Sequence, residues 1–155
     1  MPNEVKELFS SVSNFTITLA SLASSTAGVG RQSTMIDNTT TRAGRVFVFV
    51  KIKQGTSPTS ARGVYIYGIR GDATNRDDAA GASDAALTVL NCPLIGVLAN
   101  KASGAATGDV VQGWFVFDNP GREFGIAIVH DTGVNLDSTE GNHAYKYMLD
   151  NPEVQ

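Results

Sequence analysis

Residues Gly113 to Val129 read GWFVFDNPGREFGIAIV, two apolar runs on either side of Asp118-Asn119-Pro120-Gly121. Proline presets φ and glycine accepts φ > 0, so the chain reverses there and the spacing predicts a hairpin. Paired symmetrically about that turn, Phe115 faces Phe124, Phe117 faces Arg122 and Trp114 lies opposite Gly125, because side chains alternate between faces. Phe115, Phe117, Phe124, Ile126 and Ile128 then share one surface, a core face. The other surface sets Trp114 and Val116 above Gly125, Ala127 and Val129, as when an aromatic covers a strand glycine. An odd-length loop inverts the assignment.

The same period of two runs through the rest of the chain. Phe15, Ile17 and Leu19 alternate with Thr16, Thr18 and Ala20 in a first strand, and Arg31 to Asn38 gives a short one closed by a polar turn. In Arg45 to Lys53, RVFVFVKIK, one face is Val46, Val48, Val50 and Ile52, and the other carries Phe47 and Phe49 among Arg45, Lys51 and Lys53. Two phenylalanines exceed what a solvated face usually shows, so this face is expected to be covered by another element or another subunit. Val64 to Arg70, Leu87 to Leu90, Leu94 to Ala99 and His143 to Leu149 complete the strands. Asp72 to Ala86 has no periodicity and is expected to point to solvent. Val5, Leu8, Phe9 and Val12 recur at helical spacing, too briefly for a stable isolated helix. They suggest an arm or short helix packed on a neighbour or on the sheet.

The resulting expectation is an all-β, antiparallel two-sheet sandwich of eight or nine strands, with a jelly roll as the leading topology. Residues 1–13 form an N-terminal arm, 14–150 a single sandwich domain and 151–155 a C-terminal tail. Composition agrees: 155 residues can bury a core without disulfides or metal. Charged residues are 17%, against roughly 25% in ordinary soluble domains, and 16 glycines suit strands and turns.

A net charge of −3 argues against a general nucleic-acid binder. Residues 31–76 hold eight bases against two acids, whereas 77–155 hold three bases against eleven acids. Either a folded sheet interleaves these halves, or the subunit is dipolar and docks on charged neighbours. Cys92 is the one cysteine and reads as an inert buried thiol. The start lacks the basic-then-apolar pattern of a secretory leader, and no run approaches the roughly 20 apolar residues of a membrane helix.

Signatures of chemistry are sparse. There is no Gly-x-Ser-x-Gly, phosphate-binding glycine loop or His-Glu-x-x-His. His130 and His143 with Asp131 are a conceivable metal cluster, as in a cupin-like enzyme, but no spacing requires it. Asp72, Asp77, Asp78 and Asp84 lack the alternation of a calcium loop. Asp118 and Glu123 are adequately explained as turn flanks, with no cleft to make them a glycosidase pair. Trp114, Tyr65, Tyr67, Tyr145 and Tyr147 are read as core or interface aromatics, with a sugar-stacking platform as the alternative. No catalytic, cofactor or metal residue is assigned.

Phe15 to Asn38, Val46 to Tyr67 and Gly113 to Val134 together resemble small tailed-phage virion proteins. The resemblance is carried by Leu19-Ala20-Ser21-Leu22-Ala23, Gly30-Arg31-Gln32-Ser33, Asp37-Asn38-Thr39-Thr40, Lys51-Ile52-Lys53 and Gly55-Thr56-Ser57-Pro58-Thr59. It implies a jelly-roll decoration or cement protein without catalysis, on the capsid exterior and assembled in the host cytoplasm. The implied partners are the major capsid protein and further copies of the chain, with no nucleic acid and no membrane. The expected interface residues are Val5, Leu8, Phe9, Phe47 and Phe49. The alternative is a carbohydrate-binding or receptor-recognition module of a phage tail or fibre.

Overall fold

The computed structural model of the protein describes residues 5–154. Its strands are β1 (Val5–Phe9), β2 (Ser13–Asn14), β3 (Val29–Gln32), β4 (Ile36–Asp37), β5 (Arg45–Lys53), β6 (Gly63–Gly71), β7 (Ala85–Thr88), β8 (Leu94–Ala99), β9 (Val110–Asp118), β10 (Glu123–His130) and β11 (Ala144–Val154). One sheet runs β1-β11-β5-β9, with β2 also on β11; the other runs β7-β3-β10-β6-β8, with β4 also on β10. All the ladders are antiparallel.

The pairings nest. β1 and β2 pair with β11, β3 and β4 with β10, β5 with β9, and β6 with β8. The chain is therefore doubled back on itself like one long hairpin and rolled into two sheets, which is the jelly roll the turn spacing favoured.

Doubling back also resolves the charge asymmetry, because each strand of the basic first half lies near one from the acidic second half. Arg45 reaches Asp118 at 3.0 Å, Lys53 reaches Asp137 at 3.2 Å, Arg62 reaches Asp131 at 3.1 Å, and Arg31 and Arg76 pair with Asp84 and Glu123. Of the two sequence readings, interleaving is the one realised.

The predicted hairpin is not formed. β9 pairs with β5 and β10 with β6, so Asp118–Arg122 carries the chain from one sheet to the other across the sandwich. Asn119 at φ 51° and Gly121 at φ 84° turn the backbone out of the sheet plane. Asn119 N–H donates to the Gly44 carbonyl, Asn38 Nδ2 donates to the Gly121 carbonyl, and the Arg70 guanidinium donates to the Asp118 and Asn119 carbonyls. Phe115 therefore lies opposite Val48, Trp114 opposite Phe49, and Gly125 opposite Ile69. The core-face reading survives in another form. Phe117, Phe124, Ile126 and Ile128 are all buried in one cluster with Phe115 packed against it, but they meet from facing sheets.

That cluster also buries Val46, Val48, Val50 and Ile52 of β5, and Phe15, Ile17 and Leu19. The last three alternate as predicted yet lie outside the named strands, because this segment passes between sheets. It is held by Glu140, whose carboxylate accepts from Leu19 N–H at 2.8 Å, Ala20 N–H at 2.7 Å and the Tyr145 hydroxyl at 2.5 Å.

The N-terminal arm packs on the sheet, one of the expected alternatives, and does so as a strand, not as a helix. Residues 5–9 are a strand on β11, and 151–154 extend β11 itself, so arm and tail pair with each other. Helical spacing over so few residues yields to the open ladder groups of β11. Residues 1–4 of the expected arm, and Gln155, lie outside the described residues.

Aromatic rings from β9 fill space left by glycines in the facing sheet. A Cβ at Gly96 would stand 2.0 Å from Phe115 Cδ1, and one at Gly68 would stand 2.5 Å from Phe117 Cε2. Gly96→Ala is therefore expected to lower stability by about 1–3 kcal/mol in urea unfolding. Combining it with Phe115→Ala is expected to cost less than the two singles added. Strict additivity would show that the contact is not made.

Candidate functional site

Each sheet has an outer face, and the two are treated differently. Behind the second sheet, Ile69, Leu87, Cys92 and Ala127 form a separate cluster with Met35, Tyr67, Ala79 and Val89. β10 is consequently buried on both sides along its whole length. The small residues Gly125, Ala127 and Val129 are covered as expected, but by the chain's own loops, since Trp114 belongs to the other sheet.

The loop at 72–86 supplies part of this cover and does not simply point to solvent. Buried Gln32 donates to the Gly81 and Ser83 carbonyls and accepts from Ala80 N–H. Asp78 accepts from the N–H groups of Leu90 at 2.7 Å, Asn91 at 2.6 Å and Cys92 at 2.9 Å. Those bonds hold its carboxyl far below the ordinary range, against the opposing effect of burial. Asp72 caps Thr74 and Asn75, and Asp84 accepts from Thr18 and Arg31. All four aspartates read as calcium candidates are thus used within the fold, Asp77 by Arg70 N–H. Burial pushes the Cys92 thiol up to about 12, so it is protonated at neutral pH.

The outer face of the first sheet is open. Residues directly opposed in an antiparallel ladder share a face, so registers place Met148, Phe47 and Val116 in one row and Lys146, Phe49 and Trp114 in the next. Phe9 on β1 stands opposite Asp150 and meets Phe47 edge-on, with ring centroids 5.6 Å apart. Phe49 and Trp114 pack at 5.1 Å with their planes tilted by 47°. Phe47 and Phe49 are half-buried by these neighbours, while Phe9 is 54%, Trp114 52% and Val116 44% exposed. Together these side chains form a continuous, partly exposed aromatic strip on the outer face of the first sheet.

Of the residues expected at an interface, Phe9, Phe47 and Phe49 are brought together here. Leu8 is exposed but points to the other side of β1. Val5 is the first residue of that strand, and its side chain lies outside the described residues. Val116 and Met148 were not among the residues expected at an interface, and Trp114 was read only as a core or interface aromatic. The signal for Trp114 and Val116 was present in two nine-residue runs, 45–53 and 110–118, whose alternation matches once they are paired, whereas Met148 is placed by the register of β11 on β5.

The aromatics named as a possible sugar platform are dispersed. Tyr145 is buried, Tyr147 packs against the central core, Tyr67 joins the outer cluster of the second sheet, and Tyr65 donates to Asp131. The two histidines are also apart in their bonding. His143 Nδ1 accepts from Lys53 N–H, and its Nε2 faces the Asp137 carbonyl at 3.1 Å. His130 Nε2 faces the Leu22 carbonyl at 2.9 Å and Nδ1 lies 3.0 Å from the Thr132 hydroxyl. Among the described residues, no three His, Cys, Asp or Glu side chains are grouped so as to hold a metal ion, and no helix is long and apolar enough to cross a membrane. No family model, curated protein or solved structure matches the chain.

His130 is fully buried, and burial lowers its pKa below 6.5. The folded state keeps the ring neutral while the unfolded chain takes up a proton below that value, so the stabilisation is complete above pH 6.5 and declines as pH falls towards the folded pKa. Urea titrations between pH 7 and 5 are expected to show this loss, up to about 1.4 kcal/mol per pH unit. His130→Gln is expected to flatten the slope; an unchanged slope would assign it to other groups.

Proposed function

We propose that this protein is a non-enzymatic structural component of a virion, a decoration or cement protein of the capsid exterior. The observation that carries the reading is the unequal cover of the two sheets. One outer face is closed by the chain's own loops, and the other presents Phe9, Phe47, Phe49, Trp114, Val116 and Met148 to whatever adjoins it. A subunit held in a lattice uses such a face for a neighbour, and repetition over many equivalent positions lets each contact be modest. The jelly-roll architecture is compatible with the role, and the sequence resemblance to tailed-phage virion proteins gives it direction. The partners in this reading are the major capsid protein and further copies of the chain.

The test is sedimentation of shells assembled from the major capsid protein encoded in the same genome. Wild-type protein is expected to pellet with the shells. Trp114→Ala is expected to weaken retention roughly 30-fold, as for a central aromatic anchor, with the unfolding midpoint little changed because the indole is half exposed. Failure of the wild type to pellet, or Trp114-dependent binding to a glycan array in its place, would overturn the capsid reading in favour of a recognition module.

A further inference from the structure

The lateral edges of the two sheets are not finished alike. One side of the first sheet is closed by β1 and β2, five and two residues long, with Lys6 and Glu7 among them. In the second sheet β7 is four residues long, and β8 slips register against β6 between Ile66 and Tyr67. Shortness, charge and irregularity are the usual means of keeping an edge from pairing. β9 has none of them. It is nine residues long, keeps an unbroken register on β5, contains no proline or lysine and, among the described residues, pairs with β5 alone. One step beyond each end of that ladder, Gln54 N–H donates to the Asp109 carbonyl at 2.8 Å and Asn119 N–H donates to the Gly44 carbonyl at 2.9 Å. The N–H and C=O of one residue point the same way and alternate along a strand. The odd-numbered residues of β9 therefore face β5, and Val110, Gln112, Trp114, Val116 and Asp118 turn their N–H and C=O to the open edge. All five side chains are exposed. Among the described residues, only the Asp118 carbonyl of these outward groups has a partner, the Arg70 guanidinium.

We infer that β9 pairs with β9 of a second copy, antiparallel and in full overlap, about a two-fold axis perpendicular to the first sheet through Trp114. Centred there, Trp114 meets Trp114 of the second copy, Gln112 meets its Val116 and Val110 meets its Asp118, so every outward group faces an outward group. The N–H groups of Gln112, Trp114, Val116 and Asp118 then donate to the Val116, Trp114, Gln112 and Val110 carbonyls of the second copy. That is about eight bonds counted from both copies, within the roughly 5–15 of a typical interface. On the outer face the two half-exposed indoles lie side by side and extend each Phe49–Trp114 pair across the axis, as favourable cross-strand aromatic pairs do. Charge selects this orientation. Asp118 is the one charged residue of β9, and antiparallel pairing keeps its two copies about 27 Å apart at about 3.4 Å per residue. The row across the axis reads Arg45, Asp118, then Val110 and Lys53 of the second copy, so the acid has no acid opposite it. Parallel pairing would bring the two Asp118 side chains together. Pairing with β1 of a second copy would leave part of the β9 edge unmet and would not close, whereas the β9 contact is isologous and closes at two copies. The result is one continuous sheet of eight strands. The inference goes beyond the decoration reading, because it uses the edge of the first sheet and leaves its aromatic face free for a shell.

The test is sedimentation equilibrium, with residue-resolved amide hydrogen exchange, on the purified full chain at about 100 µM, a concentration that populates even a modest complex. A dimer is expected in which the N–H groups of Gln112, Trp114 and Val116 exchange as slowly as those of Val111, Gly113 and Phe115, which bond to β5. Register is read from charge placed at Gln112 and Val116, two exposed positions that oppose each other only across the axis. Gln112→Lys with Val116→Lys sets lysine against lysine, Gln112→Glu with Val116→Glu sets acid against acid, and each is expected to weaken the dimer about tenfold or more. An equimolar mixture of the two variants is expected to form a heterodimer. A monomeric wild type, a dimer in which the Gln112, Trp114 and Val116 amides exchange freely, charge variants that associate as the wild type does, or a mixture no tighter than its components would each overturn the pairing. Protection of those amides only in the presence of shells would assign the edge to the capsid protein and overturn it as well. Wild type that is monomeric yet pellets with shells would leave the decoration reading standing without the pairing. A dimer with protected edge amides that ignores shells would do the reverse.

Discussion

The passage from Asp118 to Arg122 decides whether β9 and β10 lie side by side or face each other, and every other pairing follows from its answer. Because the chain crosses the sandwich there, Phe115 and Phe117 descend onto Gly96 and Gly68 of the opposite sheet while Phe124, Ile126 and Ile128 rise to meet β5. The crossing is fastened at both ends by polar groups that are not in the turn itself: Asn38, Gly44 and the Arg70 guanidinium, which also lies over the Phe117 ring at 5.3 Å. With β9 committed to the first sheet, β5 becomes its neighbour and Phe49 finds Trp114. With β10 committed to the second, its small outer side chains need a cover, and the 72–93 region provides it.

What was legible in the sequence was local. Alternation in 45–53 assigned Val46, Val48, Val50 and Ile52 to the core and Phe47 and Phe49 to a second face that required a neighbour, and all six side chains lie accordingly. Partners were not legible, because strand pairing here joins residues far apart in sequence. Asn-Pro-Gly announces a reversal but does not say whether the chain returns in the sheet plane or leaves it. The same limit applies to Val5–Phe9, whose place is set by the free edge of β11, more than 140 residues away. At 72–86 the missing periodicity signalled a loop correctly. Its attachment depends on single polar side chains, Gln32 and Asp78, that carry no pattern.

The candidate site was legible to a comparable degree. Three of its aromatics follow from composition of a strand and of the N-terminal segment, whereas Trp114 was tied to the wrong neighbour by the assumed hairpin. The charges were visible as a contrast between halves, most of which the doubled-back chain neutralises within itself. On the outer face of the first sheet, Glu7, Lys51 and Lys146 stand outside the ion pairs among the described residues, Lys146 in the same row as Phe49 and Trp114.

Since the aromatic face and the cover of the second sheet both descend from the crossing, the most direct measurement is a set of cross-strand backbone nuclear Overhauser effects from the isotope-labelled protein in solution. The expected contacts run from Phe115 to Val48 and from Phe124 to Arg70, following the two sheets. A ladder joining Phe115 to Phe124 and Trp114 to Gly125 would contradict the account and return both strands to a single hairpin.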